Sequence, residues 1–179
     1  MLDRLKTSDA RRLGDPGTPA FRVEKYPFYL LNRLASRYNA IITERLRGLD
    51  LDVPFWRVLM ILGEEAPRSI GAIAEAAVIN VSTMMRIIQR MTEAGLVACR
   101  PRPDDARVIE VFLTKPGNAK LAKARKLTAP VYAAAISGLS QGDFLALTTL
   151  LDRVYHNLTF PKPRKQTPNR RRPKEISAR

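Results

Sequence analysis

The chain has 179 residues, 45% of them apolar and 7% aromatic, enough for one domain with a buried core and some chain to spare. Its 31 Lys and Arg outnumber 17 Asp and Glu, a net charge of +14, and such a surplus points to nucleic acid or an anionic membrane surface. The single cysteine, Cys99, excludes an intramolecular disulfide and suits a reducing compartment.

The charge is uneven. Residues 1–25 are close to balanced and rich in turn formers, and they read as a flexible N-terminal arm. They lack the apolar core of a signal peptide. From Pro27 to Arg47 apolar residues recur at Phe28, Leu31, Leu34, Ala35, Tyr38, Ile41, Ile42 and Leu46, the offsets of one apolar stripe on a long helix. Gly48 is its expected stop. Asp52 then caps a short helix to Leu62, with Pro54 in its first turn and Phe55, Trp56, Leu59 and Leu62 facing inward. Residues 63–68 read as a turn.

Ser69 caps the next helix, which turns Ile70, Ile73, Ala74 and Ala77 inward, and Val78-Ile79 connects it to a third. Asn80 caps that third helix and Gly95 ends it. Residues 96–100 and 108–113 are short apolar strands joined by PRPDDAR, a hairpin loop. Helices follow over 118–137 and 140–158, with Pro130 expected to bend or interrupt the first. The longest charge-free run, 127–142, contains Pro130 and polar residues and falls short of the roughly 20 apolar residues of a spanning helix. Neither a secreted nor a membrane protein is expected; the cytoplasm is. Residues 161–179 are proline-rich, with eight basic residues against Glu175, and read as a disordered tail. That tail is either a solubilising appendage or an arm for phosphates.

Met84, Ile87, Ile88 and Met91 form one face of the third helix, and Ser82, Met85, Arg86, Gln89 and Glu93 form the other. A surface helix has that pattern, and so does a helix that reads the major groove. Ser82, Thr83 and Arg86 lie at its N-terminal end. Arg takes guanine, Gln takes adenine, and Met85 suits a thymine methyl. A short basic loop on a hairpin suits a narrow, negative minor groove.

The stretches WRVLMIL at 56–62, STMMRIIQRMTEAGLV at 82–97 and DDARVIEVFLTKPG at 104–117 resemble the MarR family of winged helix-turn-helix regulators. The family's D-x-R, strand, L-T-x-x-G pattern is matched in register by Asp105, Arg107, Leu113, Thr114 and Gly117. Ala106 stands where the family often has a second Arg, a loss that Arg100 and Arg102 could compensate. The resemblance implies a mainly α fold with a small β-hairpin wing: a winged helix-turn-helix over about 51–114 and dimerisation helices over about 26–48 and 115–158, within a domain spanning 26–160.

It further implies a homodimeric, sequence-specific regulator of double-stranded DNA, most readily a repressor, on a near-palindromic operator. Bases would be read by Ser82, Thr83, Met85, Arg86 and Gln89, and phosphates held by Arg90, Arg100 and Arg102. Arg107 would enter the minor groove, with Asp105 orienting it. A small aromatic or anionic effector, such as an aromatic carboxylate or its CoA thioester, would bind near Arg33, Arg37 and Trp56. Taken alone, Trp56 reads first as a core residue, the two arginines as solvated or ion-paired, and Cys99 as a buried or bystander thiol rather than a redox sensor. One histidine, His156, leaves no catalytic triad or His-based metal site, and no cofactor, enzyme activity or membrane partner is expected. The competing expectations are a sequence-indifferent architectural DNA binder driven by the tail, and a ligand-binding protein with a disused reading head.

Overall fold

The computed structural model describes residues 9–159; the expected basic tail 161–179 lies outside them, as do residues 1–8. Residues 9–25, part of the expected flexible arm, form two 3-10 turns, Ala10–Gly14 and Val23–Lys25. Arg22 N–H donates to the Leu13 carbonyl at 2.8 Å, tying one turn to the other. Local hydrogen bonds of this kind leave no mark in composition.

Helix α1 (Pro27–Leu46) buries Ile42 and Leu46 completely, whereas Phe28, Leu34 and Tyr38 on the same stripe stay 37%, 60% and 41% exposed. The turn after it runs through Arg47–Leu49, and Asp50, not Gly48, adopts the left-handed conformation at φ 51°. Asp is one of the few residues other than glycine that enter that region readily, and the Asp50 N–H donates to the Arg47 carbonyl at 3.3 Å. Helix α2 (Val53–Glu64) starts as expected: Asp52 Oδ1 accepts the Phe55 N–H at 2.8 Å and Pro54 sits in the first turn. It runs two residues past Leu62, through Gly63, where a Cβ would collide with the Leu121 side chain. That glycine serves a helix contact, not a turn.

Strand β1 (Arg68–Ser69) and helices α3 (Ile70–Ala77) and α4 (Val81–Glu93) follow, then strands β2 (Val97–Pro101) and β3 (Ile109–Leu113). The sheet is antiparallel with order β1-β3-β2, so the expected two-stranded hairpin gains a third strand too short to show any alternation. Ser69 Oγ accepts from Ala72 N–H at 3.2 Å, and Gly95 ends α4 at φ 68°. Val78, at φ 55° and 80% exposed, makes the left-handed turn between α3 and α4. The core gathers Ile42, Leu46, Val58, Leu59, Ile73, Met84, Met91 and Val111 with flanking apolar residues from every one of these helices.

Helix α5 (Lys115–Ile136) begins three residues before the expected Asn118 and passes through Pro130 without a break. The proline removes only one backbone donor from a helix already long enough to absorb it. Val131, next to it, is 9% exposed and belongs to the core. The chain divides into two compact units at 135/136. The second holds helix α6 (Gln141–Thr159), opened by Ser140 and Asp143: Ser140 N–H and Oγ donate to Asp143 Oδ2 at 3.0 and 2.6 Å, and Asp143 N–H donates to Ser140 Oγ at 3.2 Å. Leu145, Leu150 and Leu158 on α6 are 55–66% exposed. Among the described residues no single helix is long and apolar enough to cross a membrane.

Two substitutions test this backbone in opposite directions. A left-handed L-residue costs about 1–2 kcal/mol, of which glycine's extra chain entropy returns part. Val78→Gly should therefore raise the thermal unfolding midpoint by a few degrees; a lower midpoint would show the turn to be unstrained. A Cβ on Gly117 would meet the Leu96 carbonyl, and backbone cannot step aside. Gly117→Ala should cost about 2–3 kcal/mol in urea unfolding.

Candidate nucleic-acid interface

Helix α4 is two-faced. Met84, Ile87, Ile88 and Met91 are at most 6% exposed, whereas Ser82, Thr83, Met85, Arg86, Gln89 and Glu93 face solvent. Its first turn is fixed by Asn80, whose Oδ1 accepts from Thr83 N–H at 2.8 Å and from Ser82 Oγ at 2.9 Å. Ser82, Met85, Arg86 and Gln89 share one shallow depression of about 600 Å³ with Thr92, Glu93 and Cys99. Gln89 Nε2 donates to Glu93 Oε1 at 3.0 Å, which holds its amide along the helix. Arg86 forms no ion pair among the described residues, so its guanidinium is open to an incoming acceptor. Cys99, expected to be buried or a bystander, is exposed, with Sγ 3.9 Å from Thr92 Oγ1.

Arg90 points elsewhere. Its guanidinium lies 3.6 Å from Asp52 Oδ2 and 4.8 Å from the centre of the Phe55 ring, so it straps α4 to the first turn of α2. Asp52 thus does two things, capping one helix and pairing with another. The sequence showed the cap but not the strap, because nothing local connects residues 52 and 90.

In the wing, Asp105 Oδ1 accepts both the backbone N–H and the Nε–H of Arg107, at 3.1 and 3.0 Å. The Asp105 carbonyl accepts the Val108 N–H at 2.9 Å. Asp105 thus holds Arg107 by its inner edge and leaves the Arg107 side chain 92% exposed at the tip. Arg100 and Arg102 converge instead on Glu110, a residue the sequence reading passed over. The only advance signal was one acid in the apolar strand IEVFL.

Of the expected effector residues, Arg37 lines an apolar cleft of about 480 Å³ between α1 and α5, with Leu34, Tyr38, Ile41, Arg45 and Val131. Arg33 is exposed and Trp56, 6% exposed, packs in the core; neither lines that cleft. Among the described residues no group of three His, Cys, Asp or Glu side chains could hold a metal ion.

The model of the MarR family matches residues 49–108, from the end of α1 to the wing. The HTH-type transcriptional repressor IacR of Pseudomonas putida is 38% identical over 144 residues, covering 80% of this chain and 86% of IacR. The chain belongs to the MarR family. Members of that family are transcriptional regulators, not enzymes. A MarR-family regulator from Silicibacter pomeroyi superposes with a TM-score of 0.70 at 26% identity, covering 76% of this chain and 92% of its own. Bordetella bronchiseptica BpsR, whose DNA binding is regulated by 6-hydroxynicotinic acid, superposes at 0.67 with 23% identity, covering 75% and 96%.

The MarR signature Leu113-Thr114-x-x-Gly117 has a physical reading in this fold. Thr114 Oγ1 accepts the Gly117 N–H at 3.0 Å, capping α5, and donates to the Gly95 carbonyl at 2.6 Å. Gly117 lies so close to the Leu96 carbonyl that no side chain fits. The hydroxyl and the missing Cβ together hold the start of α5 on the turn that joins α4 to the wing.

The Asp105–Arg107 pair has a measurable pH signature. The Arg107 side-chain hydrogen bond, then its backbone N–H, hold the Asp105 carboxyl below the ordinary 3.8. A depressed carboxylate stabilises the fold fully above its unfolded value and loses that contribution as pH falls through the folded one. The wing clasp should thus be intact throughout the neutral range and open only in acid. Arg107→Ala should raise the Asp105 midpoint in an NMR titration; an unmoved midpoint would mean that the clasp does not form in solution.

Proposed function

We propose that this chain is a sequence-specific double-stranded-DNA-binding transcriptional repressor that works as a homodimer and is released from its operator by a small aromatic or anionic effector. The observation that carries the reading is the pairing of two exposed, preorganised elements on one domain. The open face of α4 offers Ser82, Thr83, Met85, Arg86 and Gln89 above a capped first turn, and the wing tip projects a clasped, fully exposed Arg107. The first set suits base edges in the major groove and the second a narrow minor groove. Repressor function is supported by the likeness to IacR.

A second copy is supported by apolar surface that one chain leaves uncovered: Leu34 and Tyr38 on α1 and Leu150, Leu151 and Leu158 on α6 are 40–66% exposed. Two reading helices about 34 Å apart would then meet a near-palindrome. The α1–α5 cleft supports the effector, since Arg37 and Arg45 offer guanidinium groups beside the apolar Ile41 and Val131, a fit to an aromatic acid or acyl thioester. Regulation of BpsR by a hydroxylated aromatic acid is in keeping with that chemistry. Such a ligand acts only if its affinity differs between the bound and released states.

The test is fluorescence anisotropy on a duplex selected from random sequence by the protein, beside a scrambled duplex, across a salt series. The selected duplex should bind at least about 10³ times more tightly. The net charge of +14 favours the alternative of an architectural binder, which would hold both duplexes alike. Arg107→Ala should weaken operator binding severely. Arg86→Ala should cost about 1–3 kcal/mol and relax preference at one position per half-site. An unchanged selection profile would remove Arg86 from base reading.

A further inference from the structure

Glu110 sits on the central strand β3, directly across from Arg100 in the sheet register. Its side chain is 12% exposed, against 54% for Arg100 and 37% for Arg102. Oε2 accepts from Arg100 Nε at 3.2 Å and Oε1 from Arg102 Nε at 3.3 Å. The Arg100 guanidinium also lies over the Phe112 ring, 5.6 Å from its centre. Each guanidinium is therefore gripped by its inner edge. Its terminal N–H groups, four donors per arginine, remain for another acceptor.

An enclosed carboxylate is costly unless paired; Glu110 serves two cations, and Asp104 Oδ1 lies farther from Arg102 Nε, at 4.0 Å. Between residues 100 and 110 the acids Asp104, Asp105 and Glu110 equal the bases Arg100, Arg102 and Arg107, so the wing is neutral on a chain of net charge +14. Binding to arbitrary DNA scales with unpaired positive charge, whereas a specific complex uses donors held in register with the duplex.

Resting on the DNA-binding reading above, we propose that Glu110 is a positioning residue that sets operator selectivity: it fixes the aim of Arg100 and Arg102 while cancelling charge that would otherwise grip any duplex. The two arginines then add to binding only where the DNA brings acceptors to their fixed outer edges.

The experiment compares the full chain and its variants on the selected and scrambled duplexes across salt. Glu110→Gln should bind the scrambled duplex more tightly, with a log–log salt slope steeper by about one unit. Its ratio of selected to scrambled affinity should fall about tenfold. Adding Arg100→Ala and Arg102→Ala to Glu110→Gln should abolish the extra slope. Glu110→Asp, which keeps the charge, should retain the original slope. A Glu110→Gln protein with unchanged slope and ratio overturns the inference alone, as does a steep slope that survives loss of both arginines or appears in Glu110→Asp. An unmodified chain with no preference for any duplex overturns the DNA-regulator reading and this inference together.

Discussion

The hydroxyl of Thr114 is the point on which the reading domain turns. It caps α5 by accepting from Gly117 and bonds the carbonyl of Gly95, where α4 has just ended. Gly117 allows the approach because any Cβ there would strike the Leu96 carbonyl. Three elements with different tasks (the exposed helix, the wing and the long helix leading out of the domain) thus meet within a few residues. Close-packed interiors pass displacements on rather than absorbing them. The start of α5 and the turn between α4 and β2 are therefore held as one packed unit.

Charge is used differently at the two exposed elements. On α4, Arg86 has no acid partner among the described residues, while Arg90 is taken up by Asp52 and the Phe55 ring. In the wing every arginine has a carboxylate: Arg107 has Asp105, and Arg100 and Arg102 share Glu110. The exposed Arg107–Asp105 pair contributes little to stability, and both arrangements hold guanidinium groups in place. A guanidinium whose inner edge is occupied can swing less, and less ordering entropy is lost when its outer edge meets a partner.

Much of the domain was legible in the sequence because its signals are local. The caps at Asp52, Ser69 and Asn80, the stop at Gly95 and the apolar stripe of α4 all act within a few residues, and each forms as the sequence pattern predicts. What escaped was non-local or too short. Strand β1 has two residues and no period, Gly63 reads as a turn until Leu121 packs on it, and Pro130 reads as a break until its helix proves long enough to absorb it.

The sequence by itself determined the long helices and the two strands of the wing, which face of each helix is apolar, and that a helix-turn-helix with a wing is built from them. It could do so because capping, periodicity and turn chemistry are written within one or two turns of chain. Only the tertiary structure decided which arginines are free. Residue 52 reaches 90 and residue 110 reaches 100 and 102 through helix packing and strand register, and no pattern along the chain encodes a distance across it.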